Sequence, residues 1–241
     1  MKKISLKLLY ISKNFINQQH LAKRSDLLRY SQLNAGYSLV EMLAVVMMIG
    51  ILAAILAPNW FAFVNRQQLN KANDAVITAI QETQRQAQRN KTRYSVSFRK
   101  TSANQPIQFV IYPTLKPDGT VRSFSDISNT DWKSLGENAG VTSINSKQLL
   151  LGANLSSENT AGSSISFSLT DPTKITFDYM ATLPNANFGT IPSGSTEPTG
   201  LRVVLALPVG SNGTSPSGVR RCVIIRTLLG SIQTAQNNAC S

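Results

Sequence analysis

The 241-residue chain has room for one good-sized domain together with a membrane helix and an N-terminal extension. Its formal charge of +12 is uneven: seven of the 24 basic residues and one of the 12 acids fall in residues 1–36, leaving 17 against 11, or +6, on the remainder. That surplus permits weak attraction to nucleic acid or anionic surfaces without demanding it. The sole histidine, His20, also lies in the first 36 residues, so the rest of the chain holds no histidine-based triad and no histidine-ligated metal site.

The basic opening stretch leads to Gly36-Tyr37-Ser38-Leu39-Val40-Glu41, followed by an uncharged run from Met42 to Asn65. Positive charge ahead of an apolar segment holds that end in the cytoplasm. A secretory signal peptide carries its small cleavage residue after the apolar stretch, so the stretch is lost. Here the small residue comes first, and a cut after Gly36 keeps the apolar run. Glu41 stands at the head of that run, where an ionised carboxylate is costly without a partner. Cutting between Gly36 and Tyr37 creates a partner, a free α-amino group. The alternative is an ordinary anchor with Glu41 near the membrane surface.

Tyr37 to about Arg89 reads as one long helix. Met42–Ala57 is apolar on every face and covers roughly 24 Å; continuing through Val64 reaches bilayer length. Pro58 removes a helical hydrogen bond and is expected to kink the helix. From Leu69 the pattern turns amphipathic: Leu69, Ala72, Val76, Ala79, Ile80, Thr83 and Ala87 recur at steps of three and four, a stripe suited to packing on a sheet.

Beyond Lys91 the helical period disappears. The expected strands are Tyr94–Arg99, Ile107–Tyr112, Ser164–Leu169, Lys174–Asp178, Leu201–Leu207 and Arg221–Thr227. Tyr94–Phe98 alternates as a half-buried strand does, and the nearly continuous apolar run Leu201–Leu207 predicts a central strand. Pro117-Asp118-Gly119-Thr120 reads as a turn. Polar tracts within Ser143–Ser163, Asn185–Gly200 and Gly210–Gly218 read as surface loops. Asp171, Asp178 and Glu197 are scattered among turn and strand residues, where solvation or turn formation accounts for them.

Gly36 through Leu43, the aliphatic run and Pro58 together resemble the class III signal of type IV pilins and pseudopilins. The resemblance implies cleavage after Gly36 by a membrane-embedded prepilin peptidase and N-methylation of Tyr37, which stands where the family usually has Phe. It also implies that Glu41 pairs with the terminal amine of a neighbouring subunit and sets the register of the filament. One N-terminal helix followed only by strands resembles the pilin-like α+β fold, a long helix packed on an antiparallel β head. The implied parts are a removed leader (1–36), a transmembrane and filament-core half of the helix (37–65), its amphipathic half (66–90) and the head (91–241). Ile175-Thr176-Phe177-Asp178 and Arg220-Arg221-Cys222-Val223-Ile224-Ile225, with Gly230, are similar to late strands of the GspH/FimT family of minor pilins and pseudopilins.

The chain is therefore expected to be the substrate of an enzyme rather than an enzyme, with no cofactor and no metal. The leading expectation is a minor pilin acting in type IV pilus assembly. The alternatives are a GspH-type pseudopilin of a type II secretion system and a DNA-binding minor pilin for natural transformation. Implied partners are the prepilin peptidase, other pilins or pseudopilins, an inner-membrane assembly platform, membrane lipid before assembly and, in the last reading, DNA. The implied location is the bacterial inner membrane, single-pass, with the head outside the cytoplasm, and then the pilus or pseudopilus.

For an exported head, the even count of Cys222 and Cys240 argues for a disulfide, worth ~3 kcal/mol in the chain-entropy model, that ties down the tail Gln236–Ser241. The alternative is two free thiols, with Cys222 buried in its strand. Candidate DNA contacts are Arg220, Arg221 and Arg226. However, Ser231-Ile232-Gln233-Thr234 stands where DNA-binding relatives tend to carry further basic residues. A second basic cluster, Arg85, Arg89, Lys91, Arg93, Arg99 and Lys100, follows the helix end, a place that favours cations in any case.

Overall fold

The computed structural model describes residues 36–102, 105–135, 148–167, 174–210 and 214–240. The basic stretch 1–35 with His20, Asp171, and parts of the expected Ser164–Leu169 strand and of the 143–163 and 210–218 loops lie outside them. The fold is α+β, an apolar N-terminal helix followed by two antiparallel sheets. The chain divides into two compact units, Met1–Pro58 and Asn59–Ser241.

Helix α1 runs Leu39–Asn90 and is unbroken across Pro58. It starts two residues later than expected because Ser38 caps it: the Glu41 backbone N–H donates to Ser38 Oγ at 3.2 Å. It stops where Lys91 turns left-handed, φ 50°, and the Thr92 N–H closes onto the Ala87 carbonyl. In the first unit, Leu39–Leu56 is long and apolar enough to cross a membrane, and none of it is buried.

In the second unit the amphipathic stripe is buried from end to end, Leu69, Ala72, Val76, Ala79, Ile80, Thr83 and Ala87 all at 3% exposure or less. One sheet has the order β3-β2-β1-β6, formed by β1 (Tyr94–Arg99), β2 (Gln108–Pro113), β3 (Lys133–Ser134) and β6 (Lys174–Phe177). The other has the order β5-β4-β7-β8-β9, formed by β4 (Leu150–Ser157), β5 (Thr160–Ser166), β7 (Leu201–Pro208), β8 (Pro216–Ile225) and β9 (Ile232–Gln236). The stripe shares one core with the inner face of both: Val96, Phe98 and Phe177 from the first, Leu151, Val203, Leu205 and Val223 from the second.

Three expectations need correction. The alternating strand β1 is buried on both faces rather than one, because residues 114–132 fold back over the outer side of its sheet. Its serines are therefore paired with other hydroxyls, Ser95 to Thr114 and Thr176 at 2.8 Å each and Ser97 to Tyr112 at 3.3 Å. The tract expected as loop over 143–163 contains β4, the β4–β5 turn and the start of β5. Likewise β8 begins at Pro216, inside the expected Gly210–Gly218 loop. Leu201–Leu207 is central, as expected: β7 pairs with β4 on one side and β8 on the other.

Gly230 explains why a glycine closes the β8–β9 connection. Its φ is +67°, and a β-carbon there would collide with Gln84 of α1 and with Phe177. The Gln84 side chain donates to the Gly230 carbonyl at 3.2 Å.

Candidate functional site

The N-terminal motif sits at the start of α1 with its side chains in the open. Gly36 and Tyr37 precede the first helical residue, and Tyr37 is 74% exposed. Among the described residues, nothing lies within 4 Å of a β-carbon added at Gly36. Nothing in the described fold therefore requires glycine there. Ser38 and Glu41 have the Ser-x-x-Glu spacing of a helix start, a local signal that the motif itself overshadows. Glu41 is the acidic residue of the first turn, favourably placed against the helix dipole. Among the described residues its carboxylate makes no ion pair.

At the other end of the chain, Cys222 and Cys240 form a disulfide, with Cα atoms 5.7 Å apart. It lies on the outer face of the second sheet in a small apolar cluster with Val204 and Ile224, packed by Ile165, Phe167 and Ala235. The short 3-10 turn Asn237–Cys240 is held against β8, and Cys240 is fully buried.

The three candidate DNA contacts are not brought onto one surface. Arg220 and Arg221 are consecutive in β8 and so point to opposite faces of the sheet. Arg220 donates through Nε to the Ser217 carbonyl at 2.9 Å and lies over the Phe167 ring. Arg221 donates to Asn70 Oδ1 of α1 at 2.8 Å and to Gln236. Arg226 is six residues, roughly 20 Å of strand, beyond Arg220. It is ion-paired with Glu197 at 2.7 Å and hydrogen-bonded to Gln233. No protein-family model, curated protein or solved structure matches this chain.

The second basic cluster is also partly consumed inside the fold. Arg99 lies 3.9 Å over the Trp132 ring and donates to Gln108 and Asn129, and Lys100 donates to the Leu149 carbonyl. Burial pushes the Lys100 ammonium below its usual range. Arg85 pairs with Glu82 beside a cleft of about 420 Å³ that also exposes Asp131 and Lys133. Burial pushes the Glu82 carboxyl up, but hydrogen bonds from Gln86 and Arg85 and the charges of Arg85 and Arg89 outweigh it and hold it below its ordinary value. Arg89, Lys91 and Arg93 remain exposed. Among the described residues no three His, Cys, Asp or Glu side chains gather as a metal-binding group.

Proposed function

We propose that this chain is a structural subunit of a type IV filament, a minor pilin of the GspH/FimT kind that acts in pilus assembly from the bacterial inner membrane. The observation that carries this reading is Gly36 set ahead of a fully exposed apolar helix. A glycine that the fold does not need is accounted for by an enzyme that must approach the backbone closely, here a prepilin peptidase. Gly50 argues the same way for filament packing. Glycine inside a helix costs about 1 kcal/mol relative to alanine, and among the described residues nothing comes within 4 Å of a β-carbon there. With Ala54 one turn on, it offers a small-residue face on which another helix can pack closely.

The mechanism is assembly. Leader removal frees the Tyr37 amine, which the peptidase methylates. The Glu41 carboxylate pairs with the amine of a neighbouring subunit, since each charge alone is costly in a dry helical bundle. The residues of Leu39–Leu56 then exchange lipid for neighbouring helices.

The test is the intact mass of the protein taken from its native membrane or from sheared filaments. The expected mass begins at N-methyl-Tyr37 and is two hydrogens light for the Cys222–Cys240 bond. A chain still beginning at Met1 overturns the proposal. Gly36→Ala is expected to block or sharply impair processing, and Glu41→Ala to be processed but poorly incorporated.

A further inference from the structure

One face of α1 at the start of the second unit carries Trp60, Phe63, Arg66 and Asn70, spaced at three, three and four residues. The Trp60 and Phe63 rings lie 6.0 Å apart, and each is more than half exposed. An amphipathic indole such as that of Trp60 settles at the bilayer–water boundary, and the Phe63 ring lies beside it. Arg66 is six residues further along, roughly 9 Å, at the depth of the lipid headgroups.

Arg66 does not stand alone there. With Asn70 it forms one wall of a cleft of about 160 Å³ whose other wall includes Arg220, Arg221 and Gln236. No carboxylate lines this cleft, and the four ion pairs among the described residues leave out all three arginines. Arg221 is oriented by two neutral amides, Asn70 and Gln236, and makes no ion pair with Asp74, which lines the adjoining cleft. Elsewhere Arg85 and Arg226 are neutralised by Glu82 and Glu197.

We propose that Arg66, Arg220 and Arg221 form a collar that binds the phosphates of anionic membrane lipid while the subunit waits in the bilayer. Guanidinium forks match phosphate oxygens in pairs, and clustered cations next to a membrane helix bind anionic headgroups. Arg220 and Arg221 lie on opposite faces of β8, a poor arrangement for one duplex. The two nonetheless line one cleft with Arg66, at the level where the β8–β9 ladder ends with Arg221 and Gln236. The inference rests on the membrane residence proposed above, and not on filament assembly.

The experiment uses the full chain in lipid nanodiscs, either phosphatidylcholine alone or phosphatidylcholine mixed with phosphatidylglycerol. An arginine-selective dicarbonyl reagent is applied and its sites are mapped by mass spectrometry. Modification of Arg66 and Arg221 is expected to slow roughly fivefold in the anionic discs, with Arg220 following, and to recover at high salt. Arg89 and Arg93 serve as controls. Arg89 is 23 residues, roughly 35 Å, along the helix from Arg66, several Debye lengths away, and its rate should not change.

Equal rates at Arg66 and Arg221 in the two discs overturn the collar. Protection by inorganic phosphate in the neutral discs, equal to that by anionic lipid, overturns the lipid assignment in favour of a free-anion site. Protection by a short DNA duplex but not by anionic lipid overturns it in favour of nucleic acid. The N-terminus of native material is read separately. Lost protection in a chain that starts at Tyr37 removes the collar alone, whereas protection with an uncut native chain removes the filament reading alone.

Discussion

The two ends of helix α1 contain similar side chains in opposite circumstances. Ile51 and Leu52 are more than half exposed, whereas Ile80 and Leu69, on the same continuous helix, are sealed against two sheets. Local propensity is similar at both ends; what differs is the partner. The second half satisfies its apolar face within its own chain, and the first half leaves its face uncovered among the described residues. Under the filament reading proposed above, this exposure marks assembly still to come rather than instability.

Alanine at equivalent positions tests this most strongly. Ile80→Ala empties a fully buried site and should destabilise the head by about 2–5 kcal/mol. Ile51→Ala removes the same atoms from an open face and should stay within about 0.5 kcal/mol. Urea unfolding of the full chain in detergent, followed by near-UV circular dichroism, measures both. A comparable loss from Ile51→Ala would mean that the first half is buried within the subunit after all.

The disulfide sharpens the contrast within the head. Cys222→Ser with Cys240→Ser should cost about 3 kcal/mol in the same unfolding assay. It should also release the Asn237–Cys240 turn, so that amides in β9 exchange faster than those in β7. Unchanged exchange in β9 would show that the strand ladder alone holds the tail.

How much of this was legible in the sequence depended on whether the cause was local. The Leu69–Ala87 stripe could be read directly because it repeats the helical period, and Leu201–Leu207 because its short apolar run, interrupted only by Arg202, suits a strand covered on both faces. Strand β4 could not. Its Asn154 looks like a loop residue, yet its amide donates to the Gly200 carbonyl and its oxygen accepts from the Arg202 N–H, completing the sheet. Gly152 reads as a breaker, but it makes room for Ile165 and Phe167 to lie over β4. Strand β9 is mostly polar and exposed, as an edge strand is, and only its ladder to β8 defines it. At the candidate site, Gly36, Tyr37 and Glu41 formed a contiguous motif. The grouping of Arg66 with Arg221 depended on contact between residues 151 positions apart, Asn70 and Arg221, which no local pattern records.

The smallest predicted effect concerns how the two regions treat a lone polar group. In the β4–β5 turn, Asn159 is fully buried with φ 51°. Its amide donates to the Thr176 and Pro184 carbonyls at 3.0 Å each, and its oxygen accepts from the Thr176 N–H at 2.8 Å, tying one sheet to the other. Asn159→Ala strands those groups and should cost about 1–3 kcal/mol. Asn159→Gly relieves the left-handed backbone but loses the same bonds, so if the bonds dominate it should recover little of the loss. Glu41 is the opposite case, a carboxylate with no ion pair among the described residues. Glu41→Gln should therefore leave the head's unfolding midpoint unchanged. A lowered midpoint for Glu41→Gln would show that its partner lies within the subunit, and Glu41 would then have no role left between subunits.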